Sequence, residues 1–359
     1  MIGRVRPAVS GLASYRPGKA ASQVEDEHGI EGAIKLASNE NPWPPVAPIA
    51  DAIRAAVAGV NRYADNNATD VREAIGAWLG VATERITVGC GSSGLLQQLF
   101  MTYVDPQDEV VFPWPSFEIN PVFSTLFDAT QVPVPLVDFA FDLQAVADAV
   151  TDRTKLIFLA TPNNPTGTSI AMADVATLLR SIPDDVIVVI DEAYREFSDA
   201  SFGDPVADLQ PDHANLVVTR TFSKAFGLAG LRSGYGVAHP EIIAQLDKVR
   251  LPFSVSNLAQ VGVLAAIEHE AAAMENVVTL LVERDRCVAA LTSAGVEFVP
   301  TQANFVFIPT AERTSSIAIA MEKNGIVTRP FADFGLRITI GSPEENDRWL
   351  AAFLDANSS

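Results

Sequence analysis

The sequence is short of cysteine, histidine and basic residues, and each shortage removes a class of function. Two cysteines, Cys90 and Cys287, in 359 residues cannot staple a disulfide framework, and they fit a reducing compartment. The four histidines, His28, His213, His239 and His269, are scattered with no H-E-x-x-H pair, so no metal site is expected. Lysine and arginine number 25 against 44 acidic residues, and the net charge of −19 argues against a nucleic-acid or anionic-membrane surface. No apolar run reaches the roughly 18 residues that a membrane span needs. The opening stretch MIGRVRPAVSGLASYRPG lacks the apolar core of a secretory signal. No G-x-S-x-G elbow occurs either. These absences leave the expectation of a soluble, cytoplasmic chain.

Material for a core is plentiful: 48% of the residues are hydrophobic, and the length suits one large domain with a smaller one attached. Between about residues 51 and 240, helical stretches such as 171–180 alternate with short apolar runs at 86–88, 110–112, 155–160, 186–190 and 215–219. A run such as VIVVI is apolar on both sides, which marks a strand covered by helices on both faces. The alternation predicts an α/β fold around a largely parallel sheet. After RLPFSVSN the pattern changes. One long helix over 257–294 is expected there, then strands in GVEFVP, ANFVFIP, GIVTRP and GLRITIG, and a terminal helix after Pro343. This reads as a smaller α+β unit.

In open α/β sheets, ligands bind beyond the carboxyl ends of the strands. There the sequence puts TPNNPTG after KLIFLA, DEAY after VIVVI, RTFSK after NLVVT, and the glycine-rich turn GCGSSG after RITV. An amide, a carboxylate with a phenol, and a lysine therefore gather on one edge. Pyridoxal phosphate needs such a set. Lys224 suits the covalent bond to its aldehyde, and Asp191 suits its ring nitrogen, because a nearby anion favours the protonated form. Asn164 and Tyr194 suit the phenolic oxygen. Backbone N–H groups of Ser92 and Ser93 at a helix start suit the phosphate, with Thr221, Ser223 and the forked Arg232 completing the cradle. Phe117, in PWPSF, is placed to stack on the ring.

Over nearly its whole length the sequence resembles the fold-type I pyridoxal-phosphate aminotransferases, within them the histidinol-phosphate and aromatic amino acid aminotransferases. SYRPG, IKLASNENP, NRYADN, NNPTG, IDEAY, TFSKAFGLAGLRSGY, QANFVF and LRIT carry the resemblance in order. It implies a large domain with a mostly parallel seven-stranded sheet plus a smaller α+β domain. The chain then divides into an N-terminal arm and part of the small domain (1–34), a pyridoxal-phosphate domain (35–251) and a small C-terminal domain (252–359). The resemblance also implies that Lys224 is the Schiff-base lysine and that Asp191 faces the pyridine nitrogen, with Asn164 and Tyr194 at the phenolic oxygen. Tyr63 matches a tyrosine that reaches the phosphate in the neighbouring subunit of a homodimer with shared active sites. Arg337 matches the arginine that grips the substrate α-carboxylate, and Asn39 falls with the substrate. Amino acids and 2-oxo acids are the implied substrates, exchanged by ping-pong transamination with 2-oxoglutarate as the family's usual acceptor.

Several residues also have plainer readings. Taken alone, Asp191 is a helix cap, Asn164 a turn residue, and Tyr194 and Phe117 packing. In GLRITIG, Arg337 and Thr339 share one face of a strand, and a solvated face would look the same. GCGSSG also fits the dinucleotide fingerprint G-x-G-x-x-G, but the acidic residues Asp108 and Glu109 precede the next apolar run instead of closing it, so the glycines read as a single-phosphate cradle. GCGSSGLLQQ, WPSFE and PEENDRWL lean toward the aromatic (phenylalanine) branch, with histidinol phosphate as the alternative donor. Arg329 suits a distal anion, and Tyr15, Trp114, Phe253 and Phe331 an aromatic wall. A different α-carbon reaction such as decarboxylation, or a sensor without turnover, are the remaining readings; a DNA-binding regulator would need an attached domain, and the resemblance begins near residue 11.

Overall fold

The computed structural model describes residues 3–12 and 18–358. After a short first strand β1 (Ile34–Lys35), seven strands build the main sheet. They are β2 (Ile86–Cys90), β3 (Glu109–Trp114), β4 (Thr130–Pro135), β5 (Thr154–Ala160), β6 (Ile187–Asp191), β7 (Leu216–Thr221) and β8 (Ser233–Val237). Their order is β2-β8-β7-β6-β5-β3-β4. β8 runs antiparallel to β2 and β7, and the other pairs are parallel. Alternation along β6 explains why both faces are dry: Val188 and Ile190 enter one hydrophobic cluster, Ile187 and Val189 the other. The expected α/β class and mostly parallel seven-stranded sheet are therefore found.

Two strands of this sheet go beyond the expected runs. β4, TQVPVP, carries Pro133 and Pro135, which an edge strand tolerates because it has one unpaired side. β8, SGYGV, contains two glycines that allow close approach: a Cβ on Gly234 would stand 2.4 Å from the Ser92 nitrogen.

The C-terminal part forms β9 (Phe305–Pro309), β10 (Ile326–Val327), β11 (Arg329–Phe331) and β12 (Gly335–Thr339). β11, β12 and β9 make an antiparallel sheet, whereas β10 pairs in parallel with β1. This pairing ties the N-terminal segment to the C-terminal part. Thr339 N then donates to Leu36 O at 2.9 Å, which fixes the loop after β1 over the end of the main sheet.

Two expectations are corrected here. The long helix over 257–294 is two helices, Asn257–Glu268 and Glu270–Ser293, because His269 leaves helical geometry at φ −111°. GVEFVP forms no strand; only Val299 makes a single bridge, to Phe307. The terminal helix, Pro343–Ser358, starts where expected. Among the described residues no helix is long and apolar enough to cross a membrane.

Candidate active site

The carboxyl ends of β5, β6 and β7 open onto a cavity of about 380 Å³. Its lining includes Asn39, Ser92, Ser93, Phe117, Asn164, Asp191, Tyr194, Thr221, Ser223, Lys224, Arg232, Arg329 and Arg337, so these expected site residues converge in space. Adjacent parallel strands end at one level, which makes this convergence a property of the topology.

One end of the cavity is built for an anion. The helix Gly91–Tyr103 follows β2 directly, and Ser92 and Ser93 stand in its first turn, where N–H groups have no partner within the helix. Thr221 Oγ1 donates to Ser223 Oγ at 2.9 Å, and Arg232 Nη1 donates to Ala229 O at 3.0 Å and Ser223 Oγ at 3.4 Å. Gly91 has φ +71°, and a Cβ there would stand 2.5 Å from Arg232 Nη2. Glycine at this position thus admits the guanidinium to the helix start.

The middle of the cavity holds two groups that burial drives towards neutrality. Asp191 accepts a 3.2 Å hydrogen bond from Thr219 Oγ1, yet burial, aided by the charge of Glu192, pushes its carboxyl up to about 7. Lys224 Nζ donates to Ser38 O at 2.8 Å and lies 5.9 Å from the centroid of the Tyr194 ring. Burial, reinforced by the positive charge of Arg337, lowers the amine to about 8.

The third wall crosses from the main sheet to the C-terminal part. Asn39 Nδ2 donates to Tyr194 Oη at 2.8 Å. Asn39 has φ +53°, a left-handed conformation held by Thr339: Asn39 N donates to Thr339 Oγ1, which in turn donates to Asn39 Oδ1, both at 2.9 Å. Arg337 donates to Asn164 Oδ1 and to Ala37 O, and it faces the Phe305 ring at 5.5 Å. The polar face of GLRITIG is therefore buried against the site: Arg337 is 6% exposed and Thr339 2%.

Other expected residues lie elsewhere. Tyr63 is 83% exposed and stacks on Phe253 at 4.4 Å; neither lines this cavity. Trp114 lines a separate hollow with Phe139 and Phe334. Phe331 packs beneath Arg329 and Arg337, at 5.9 and 5.8 Å, without lining the cavity. So Phe117, of the expected aromatic residues, joins Tyr194 in the lining, and Tyr15 lies outside the described residues. Sequence reading missed Glu118, which lines the cavity and pairs with Arg329; its one signal was its place next to Phe117. The side chains of Glu27, His28 and Glu322 also approach one another, but Lys19 Nζ already sits 2.5 Å from Glu27 and 2.7 Å from Glu322.

The sequence model of the aminotransferase class I and II family matches residues 31–353. The chain is 44% identical over 353 residues to an aromatic amino acid aminotransferase of Mycobacteroides abscessus, covering 98% of both. It is 42% identical over 350 residues to another of Mycolicibacterium vanbaalenii, covering 98% of this chain and 97% of that one. Among solved structures it is similar to histidinol-phosphate aminotransferase from Sinorhizobium meliloti in complex with pyridoxal-5'-phosphate, at TM-score 0.91 and 28% identity, covering 99% of this chain and 98% of that one. Aspartate aminotransferase from Thermus thermophilus with maleate shares the fold, at TM-score 0.84 and 23% identity over 99% of this chain and 100% of that one. A family match of this extent, laid over a cavity where lysine, aspartate and an anion cradle meet, makes the protein a member of the class I and II aminotransferases.

Proposed function

We propose that the protein is a pyridoxal-phosphate-dependent aromatic amino acid aminotransferase that passes the amino group to 2-oxoglutarate and works as a homodimer. The observation that carries the substrate class is the 44% identity, over 98% of both chains, to a relative of that activity. The donor set fits the cofactor by its own chemistry. Hydroxyls, a helix start and a guanidinium suit a phosphate, a buried carboxylate suits a ring nitrogen, and a buried amine suits an aldehyde.

When bound, pyridoxal phosphate supplies an electron sink that stabilises negative charge at the substrate α-carbon. Lys224 would hold the group through its aldehyde, and its amine, once freed, would accept the proton of the substrate α-carbon and carry it across the site. Its lowered basicity, to about 8, keeps a useful fraction neutral near physiological pH. Asp191 would set a negative charge against the ring nitrogen, and that pairing would offset the desolvation which otherwise raises its carboxyl. Asn164 and Tyr194 would orient the phenolic oxygen, Phe117 would cover the ring, and Ser92, Ser93, Thr221, Ser223 and Arg232 would hold the phosphate. Arg337 grips the α-carboxylate as a fork, beside Asn39. Tyr63, exposed and stacked on Phe253, would reach the phosphate of a partner subunit. The arm 1–34, the domain 35–251 and the domain 252–359 are read as the units that enclose the site. Two free cysteines support a cytoplasmic location.

Histidinol phosphate is the second reading, favoured by Arg329 in the lining and by the TM-score of 0.91 to an enzyme of that name. A spectral half-reaction separates the two. Phenylalanine, tyrosine, histidinol phosphate and aspartate are added in turn to the cofactor-loaded protein, and the loss of visible absorbance is timed. Phenylalanine and tyrosine are expected to react fastest at equal concentration; a faster histidinol phosphate would transfer the assignment to the second reading.

A further inference from the structure

Strands β11 and β12 pair so that Arg329 stands directly opposite Arg337. Residues so opposed share one face of a sheet, with Cβ atoms about 5 Å apart. Both guanidiniums accordingly reach the same cavity. Like charges in this position repel, and the cavity supplies Arg329 with a counter-ion of its own. Glu118 forms an ion pair with Arg329 from the start of the helix Ile119–Leu126. The Glu118 side chain is 35% exposed, the Arg329 side chain 15%. One partner is thus anchored on a strand, above the Phe331 ring at 5.9 Å, while the other has a path to solvent.

We propose that Glu118 is a specificity-determining residue. Its carboxylate occupies Arg329 while the pocket holds an uncharged aromatic side chain, and it yields Arg329 to the distal carboxylate of a dicarboxylic substrate. This rests on the reading of Arg337 as the α-carboxylate clamp. The physical need comes from transamination itself, in which one pocket must accept two side chains of opposite character. An aromatic ring pressed against an unanswered guanidinium would strip its water and return only a cation–π contact in exchange. Against a closed ion pair, that penalty is smaller. A dicarboxylate instead exchanges one carboxylate on Arg329 for another, and Glu118 moves out to water at little cost because it is already partly solvated. The pair therefore favours aromatic over dicarboxylic ligands by the work of displacing Glu118.

The test uses ligands that bind but cannot react, because they carry neither an amine nor an oxo group. 3-Phenylpropanoate and glutarate are titrated by calorimetry into the cofactor-loaded wild type, Glu118→Gln, Glu118→Ser, Arg329→Gln and the double variant Glu118→Gln/Arg329→Gln. Removing the internal carboxylate should tighten glutarate about fivefold, the scale of one partly exposed ion pair. 3-Phenylpropanoate should weaken, so the ratio of the two dissociation constants moves towards glutarate in both Glu118 variants. In the Arg329→Gln background the same change at Glu118 should leave that ratio within about twofold. A ratio unmoved by either Glu118 variant overturns the proposal, and so does an equal shift in the absence of Arg329. The reading beneath it fails separately. If Arg337→Leu binds both ligands as tightly as wild type, the clamp is wrongly assigned, whatever Glu118 does.

Discussion

The carboxylate of Asp191 and the amine of Lys224 face one cavity from neighbouring strands, the first closing β6 and the second standing just beyond β7. Burial drives them in opposite directions, the acid up to about 7 and the base down to about 8. Both charged forms are therefore costly in the cofactor-free chain, and both costs are relieved by a ligand that brings a ring cation and consumes an amine. The site is poised to be completed.

Asp191→Asn reads that cost directly. The folded carboxyl titrates near 7 instead of 3.8, so its burden on stability is full above about pH 7, declines as pH falls, and disappears below the ordinary value. Calorimetry of the cofactor-free proteins should show the variant more stable above pH 7, by on the order of 1–3 kcal/mol. The gain should shrink towards pH 4. With cofactor bound the order should invert, since the variant lacks the proposed partner of the ring nitrogen. Equal stability at pH 8 without cofactor would contradict the assigned burial.

Lys224 makes a kinetic prediction. The neutral amine is the reactive form, and a folded value near 8 in place of 10.5 makes it abundant at lower pH. Covalent uptake of pyridoxal phosphate, followed by stopped-flow absorbance, should speed up with pH around a midpoint near 8. Lys224→Ala should abolish that phase and cut turnover by about 10³-fold or more, since it removes the proposed covalent anchor and proton carrier together.

Behind the site lies a buried ionic group whose loss should be structural. Arg220 is 1% exposed and donates to Glu192 at 2.7 Å and Asp204 at 2.8 Å. Arg220→Met leaves Glu192 buried without its cation, which should cost about 3–5 kcal/mol in denaturant unfolding. Adding Glu192→Met should recover much of that loss, because it removes the stranded charge; a second loss of equal size would show that packing dominates.

Gly234→Ala tests the anion cradle. The added Cβ would lie 2.4 Å from Ser92 N and 2.6 Å from the Gly91 carbonyl carbon, both backbone atoms that cannot rotate away. The start of the helix Gly91–Tyr103 must shift, at a cost of about 1–3 kcal/mol in stability. Pyridoxal phosphate should bind at least about tenfold more weakly, because the displaced N–H groups belong to the proposed phosphate seat. Unchanged affinity would detach the cradle from cofactor binding.

Much of this arrangement was legible where residue type and period agree. The runs that became β5, β6 and β7 are apolar on both faces, and a polar group that lines the cavity closes each strand or follows it within a few residues. Legibility failed where context overrides propensity. β4 contains prolines that would break a central strand but lie on an edge, and β8 contains Gly234, which a close helix start requires. The face shared by Arg337 and Thr339 was ambiguous because alternation marks two faces without saying which one meets water; burial by the loop at Ala37 and Asn39 decides it. Glu118 was invisible for a related reason. Its partner is 211 positions away, and a glutamate at a helix start ordinarily needs no partner beyond solvent.

Segments 37–39 and 337–339 meet through hydrogen bonds that span 300 positions of the chain. A polypeptide still emerging from the ribosome can complete its seven-stranded sheet, which ends at Val237, long before Arg337 exists. On the proposed reading of Arg337 as the carboxylate clamp, substrate capture waits for the finished molecule, and a product cut short before β12 would carry the lysine and the aspartate without that clamp.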